Sequence, residues 1–178
     1  MYMGNIGPVA GVDLLINAFS KANLSNGKLL IAGSGSKKED LQRKVQNENL
    51  KSITFIDVPD GKVPEVQSMA NVMLLPIKKG AASSSIPSKL PAYMFSKKPI
   101  ISSVDKNTET ANVIEVSNCG WVIDPENIDI FANKMKEVSK LIKEELEKIG
   151  QNGFDYAFEN LSKERNLKKV VNVIQSVI

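Results

Sequence analysis

"VMLLPIKKGAASSSIPSKLPAYMFSKKPII", residues 72–101, reads as strand, loop, helix and strand in that order. Residues 72–76 are an apolar run closed by a proline, the pattern of a strand buried on both faces. Residues 77–85 bring Lys78, Lys79, Gly80 and three serines, the composition of a loop. Leu90, Ala92, Tyr93, Met94 and Phe95 then follow Pro87-Ser88-Lys89 as a helical segment, and Pro99-Ile100-Ile101 opens the next apolar run. Two apolar strands joined through a helix are parallel neighbours with a right-handed crossover. The fold class is therefore α/β.

The same alternation runs through the rest of the chain. Strands are expected at 1–5, 28–33, 53–57, 72–76, 99–102 and 120–123. Val12, Leu15, Ile16 and Phe19 repeat with helical spacing, so one face of the first helix is apolar. A second helix is expected over 38–46 with Leu41 and Val45 inward, a third from Pro64, a fourth after Ser88 and a fifth over 107–116. Residues 125–149 read as one long helix with Ile128, Phe131, Met135, Val138, Ile142 and Leu146 inward, punctuated by Gly150 and Gly153. Two more helices close the chain, the last with Leu167, Val170, Val171, Ile174 and Val177 on one side. Together these predict a single Rossmann-like domain: a doubly wound, six-stranded parallel sheet of order 3-2-1-4-5-6 with extra C-terminal helices.

Composition narrows the chemistry. The 178 residues suffice for one domain with a sizeable core, and a net charge of +3 does not argue for nucleic acid. There is no histidine, which excludes histidine triads, histidine bases and histidine-held metals from this chain. One cysteine, Cys119, permits no internal disulfide and suits a reducing, cytoplasmic setting. Cys119 and Trp121 read as packing residues. No clustered carboxylates suggest a divalent metal, so none is expected. The chain opens inside a strand with no lead-in, the look of a piece of a larger protein.

In a sheet of this order, ligands bind where the first and fourth strands part, at their carboxyl ends. Two loops meet there. The first carries Gly4, Asn5 and Gly7; glycines let backbone amides approach a phosphate closely. The second holds Ser84 and Ser85 and leads to Ser88, Lys89 and Leu90. Ser88 is placed to cap the fourth helix, and a lysine in a first turn is unfavourable unless an anion offsets it. A diphosphate is the expected anion. A third stretch, Gly33-Ser34-Gly35-Ser36-Lys37-Lys38 with Asp57 at the next strand end, mimics a dinucleotide-binding pattern, but Lys38 stands where the third glycine belongs. A plain βα turn lining a pocket is the competing interpretation.

In order and spacing, these stretches resemble a known family. They are Gly4-Asn5-Ile6-Gly7 with Gly11-Val12-Asp13-Leu14-Leu15, Leu30-Ile31-Ala32-Gly33-Ser34-Gly35, Ala70-Asn71-Val72-Met73-Leu74-Leu75-Pro76, Pro87-Ser88-Lys89-Leu90 with Tyr93-Met94, and Cys119-Gly120-Trp121. The chain resembles the C-terminal, donor-binding half of family 4 retaining glycosyltransferases, whose GT-B fold faces two Rossmann-like domains. The similarity is strongest to the bacterial surface-polysaccharide subgroup typified by fucosamine transferases.

That resemblance implies a UDP- or GDP-sugar donor and no further cofactor. It implies a missing N-terminal domain that binds a glycan or lipid-linked acceptor at the inner face of the membrane. By the same resemblance the base lies near Asp57, Val58 and Lys62. The family's paired glutamates are replaced here by Ser84 and Ala92, and its basic residues after the first strand by Asn5 and Ala10. Lys89 then supplies the positive charge, with Glu109 the candidate ribose ligand. This half alone is expected to fold and to transfer no sugar. A non-catalytic nucleotide- or NAD-binding module and a degenerate scaffold domain remain open alternatives.

Overall fold

A computed structural model describes residues 1–81 and 86–176. The calls on Ser84, Ser85 and Val177 fall outside these described residues. Strands are β1 (Tyr2–Met3), β2 (Leu29–Ala32), β3 (Ile53–Ile56), β4 (Met73–Pro76), β5 (Ile100–Ser103) and β6 (Gly120–Ile123). Helices are α1 (Val12–Ala22), α2 (Lys38–Asn47), α3 (Val63–Ser68), α4 (Lys89–Phe95), α5 (Glu109–Ser117), α6 (Ile128–Val138), α7 (Lys143–Asn160) and α8 (Lys163–Ser176).

All strand pairs are parallel, and two three-stranded sheets form, β1-β2-β3 and β4-β5-β6. The expected continuous six-stranded sheet is thus divided between β1 and β4, although these two strands are neighbours as the order 3-2-1-4-5-6 requires. Met1 alone ties them: its nitrogen donates to Val72 O at 2.6 Å and its carbonyl accepts from Leu74 N at 2.8 Å. Continuing that register would set the nitrogen of Pro76 opposite the carbonyl of Met3. Proline has no N–H to donate, so the ladder stops.

Tyr93 of α4 takes the vacated place. Its buried hydroxyl donates to Met3 O at 2.7 Å and accepts from Met3 N at 3.0 Å. Both polar groups of Met3 are thereby satisfied without β4, and the two strands part at their carboxyl ends. Tyr93→Phe should leave a buried N–H and C=O unpaired and destabilise the fold by roughly 1–3 kcal/mol. Urea unfolding checks this; an unchanged midpoint would show that the phenol is not closing the sheet edge.

Strand residues alternate between two apolar layers. Tyr2, Ile31, Leu74 and Ile101 pack with Leu15, Ile16, Phe131 and Met135 of α1 and α6. Met3, Ala32, Leu75 and Ile100 pack with Leu90, Met94, Ile114 and Ala157 of α4, α5 and α7. The single helix expected over 125–149 is therefore two helices: α6 packs in one layer, and α7, past Leu146 at its start, packs in the other. The chain turns at 139–142, and Ile142 N restarts the helix on Glu145 Oε2 at 2.9 Å. Ile142, counted in the inner stripe, is 60% exposed.

Gly150 does not end a helix but lies inside α7. A Cβ there would run into the carbonyl of Lys97, so the glycine lets α7 close on the end of α4. Nearby, Gly153 faces Cys119 and Met94. Cys119 itself is fully buried, and burial pushes its thiol up from the ordinary value. The apolar side of α8 lies open: Leu167, Val170, Val171 and Ile174 are about half exposed, and no described residue of α8 is buried.

Candidate nucleotide-diphosphate cleft

The parting of β1 and β4 opens a cleft of about 170 Å³ at their carboxyl ends. One wall is the β1–α1 loop with Asn5, Gly7, Val9 and Ala10. The other is the end of β4 with Leu75, Pro76 and Ile77, then Ala81, Pro87 and Lys89. Of the residues predicted from sequence, Asn5, Gly7 and Lys89 meet here.

Lys89 has the least ordinary setting. Its stem lies across Gly4, where a Cβ would overlap Lys89 Cε, and its Nζ stands 5.5 Å from the Tyr2 ring centroid. The residue is partly buried, and burial holds its ammonium below the usual lysine value. No carboxylate pairs with it among the described residues. A partly desolvated cation without a counter-charge is costly unless an anion joins it.

The helix start contributes less than expected. Ser88 has helical backbone angles and makes no side-chain cap. Leu90 is fully buried in the core, and its N–H donates to Pro87 O at 2.9 Å. With α4 only seven residues long, the charge of Lys89 outweighs the helix dipole.

The glycines of the dinucleotide-like stretch have another use. Gly33 and Gly35 hold φ of +129° and +151°. A Cβ on Gly33 would strike the carbonyl of Gly4, and one on Gly35 would lie 2.5 Å from both Asn5 Oδ1 and Ile6 O. Backbone bonds close the contact: Ile6 N donates to Ser34 O at 2.8 Å, and Lys37 N to Ile6 O at 3.0 Å. These glycines let the β2–α2 loop press against the β1–α1 loop and support the cleft wall from behind.

Asp57, Val58, Lys62 and Glu109 are not among the residues that line the cleft. Asp57 is bound by Lys38 at 2.6 Å. Lys62 pairs with Glu65 at 2.8 Å, and Val58 packs on the core. Glu109, exposed in the first turn of α5, accepts from Asn112 Nδ2 at 3.1 Å.

Sequence reasoning missed Val9, and it placed Ile77, Ala81 and Pro87 in the crevice stretches without choosing them as contacts, since they carry no charge to betray them. It also missed Tyr93 and Pro76, whose joint effect needs the strand register. Lys78 was visible as a charge in a cleft loop but was not singled out. Its N–H donates to Val9 O at 3.3 Å, and its ammonium lies 3.5 Å from Asp13 Oδ2.

Residues 1–156 match the family described as "Glycosyl transferases group 1". The chain belongs to this glycosyltransferase family. Among its curated relatives is WcaI of Escherichia coli K12, named as a colanic acid biosynthesis glycosyl transferase, 24% identical over 98% of this chain and 42% of its own length. Among solved structures, Anabaena Alr3699/HepE in complex with UDP matches with a TM-score of 0.83 at 14% identity, over 98% of this chain and 48% of that one. The C-terminal domain of the group 1 protein LpcC from Francisella tularensis matches with a TM-score of 0.71 at 19% identity, over 91% of this chain and 86% of that one. This group 1 glycosyltransferase chain thus has the fold of one half of a GT-B enzyme and spans less than half of WcaI. Among its described residues, no helix is long and apolar enough to cross a membrane.

Proposed function

We propose that this chain is the donor-binding half of a retaining, metal-independent glycosyltransferase that builds a cell-surface glycan from a UDP- or GDP-sugar. The observation that carries the reading is Lys89, partly buried and unpaired by any described carboxylate, on the rim of a cleft opened where β1 and β4 part. The UDP in the HepE structure and the colanic acid pathway in WcaI's name point the same way. As the bond to the anomeric carbon breaks, negative charge builds on the leaving diphosphate. A cation fixed before the reaction stabilises that charge without reorganising. Lys89 would fill this role, with the backbone amides of Asn5 and Gly7 beside it. The acceptor, and the residues that exclude water from it, would belong to an N-terminal domain facing the cleft. In the full-length enzyme we place that assembly on the cytoplasmic side of the membrane, peripheral to it.

The alternative of NAD binding loses its main support, because Gly33 and Gly35 are occupied by loop packing. Calorimetric titration with UDP, GDP and NAD, each with EDTA present, tests the proposal. Saturable binding of one nucleoside diphosphate, unchanged by EDTA, is expected. Preference for NAD, or binding abolished by EDTA, would contradict it.

A further inference from the structure

We propose that Lys78 is a second phosphate-binding cation of this cleft, held by Asp13 until a diphosphate displaces the carboxylate. The inference rests on the donor-site reading above and adds a residue to it.

Lys78 follows Ile77, which lines the β4 wall, and its N–H reaches across to Val9 O on the opposite wall. Two residues on, Gly80 N donates to Asp105 Oδ2 at 2.8 Å. The loop backbone is therefore fixed on both sides of Lys78, while the side chain is 41% exposed and paired with Asp13. Asp13 sits in the first turn of α1, where a carboxylate is favourable without any lysine. The 3.5 Å pair joins two exposed groups, and such pairs contribute little. A diphosphate carries more charge than one carboxylate and would enter between the β1–α1 loop and the β4–α4 connection, which carries both Lys78 and Lys89. Two cations, one from each end of the β4–α4 connection, match its two phosphates better than Lys89 alone.

The test is a double-mutant cycle read by UDP titration, with uridine as the ligand lacking phosphates. Lys78→Ala should weaken UDP about five-fold or more and leave uridine unaffected. Asp13→Asn should strengthen UDP by about two- to five-fold, the range set by releasing an exposed pair. In the Lys78→Ala background that gain should vanish. A gain of the same size with and without Lys78 would mean that Asp13 merely repels the ligand, and would overturn the proposal. So would UDP affinity indifferent to Lys78→Ala. Failure of the wild-type chain to bind UDP would remove the donor-site reading itself, a distinct result.

Discussion

Gly33→Ala is expected to be among the most destabilising single substitutions in this chain, costing about 3 kcal/mol or more. Two effects add. At φ +129° the backbone lies where side-chain-bearing residues are strained, a cost of about 1–3 kcal/mol. The new methyl would also strike the carbonyl of Gly4, and overpacking costs roughly another 1–3 kcal/mol. Neither loop can yield cheaply. Gly33 N donates to Ile56 O at 3.2 Å and Gly4 N to Ala32 O at 2.9 Å, so moving either one opens a sheet ladder. Domains of this kind are stable by only about 5–15 kcal/mol, and the loss should lower Tm by roughly 6–12 °C.

Gly61 supplies the control. Its φ is +74°, but nothing lies within 4 Å of its would-be Cβ, so Gly61→Ala meets strain without collision and should cost about 1–2 kcal/mol. Equal losses for the two substitutions, measured by urea unfolding, would show that the β1–α1 and β2–α2 loops are not pressed together as described.

Most of the fold was legible in residues 72–101 and their counterparts along the chain. Buried parallel strands are short apolar runs, and period alone marks the helices between them. What stayed hidden depended on contacts between distant segments. The apolar spacing from Ile128 to Leu146 runs unbroken across residues 139–142, because a chain that changes layers needs no glycine or proline to do so. Gly150 looked like a stop signal until Lys97 was found against it. The break in the sheet follows from one missing N–H at Pro76 and one phenol at Tyr93, residues set far from Met3 in sequence.

The site was partly legible for the same reason. Topology placed the crevice, and Gly4, Asn5, Gly7 and Lys89 lie in or beside it. Asp57 and Glu109 were chosen by position along their strands or helices, and position does not reveal that Lys38 and Asn112 engage them. At Gly33 and Gly35 a spacing that suits a phosphate also suits close packing against a neighbouring loop.

The central claim is that Lys89 faces a diphosphate, and calorimetric titration of UDP against the wild-type, Lys89→Ala and Lys89→Met chains tests it most directly. Methionine keeps an unbranched stem across Gly4 and Tyr2 while removing the charge, so packing and electrostatics separate. Losing a cation–π contact of roughly 0.5–1 kcal/mol is offset by no longer half-burying an unpaired charge, so Lys89→Met should unfold near the wild-type midpoint. A charge-assisted phosphate contact contributes about 1.5–3 kcal/mol. Both variants should therefore bind UDP about ten-fold or more weakly, with uridine binding unchanged. Wild-type affinity for UDP in a folded Lys89→Met chain would contradict the account.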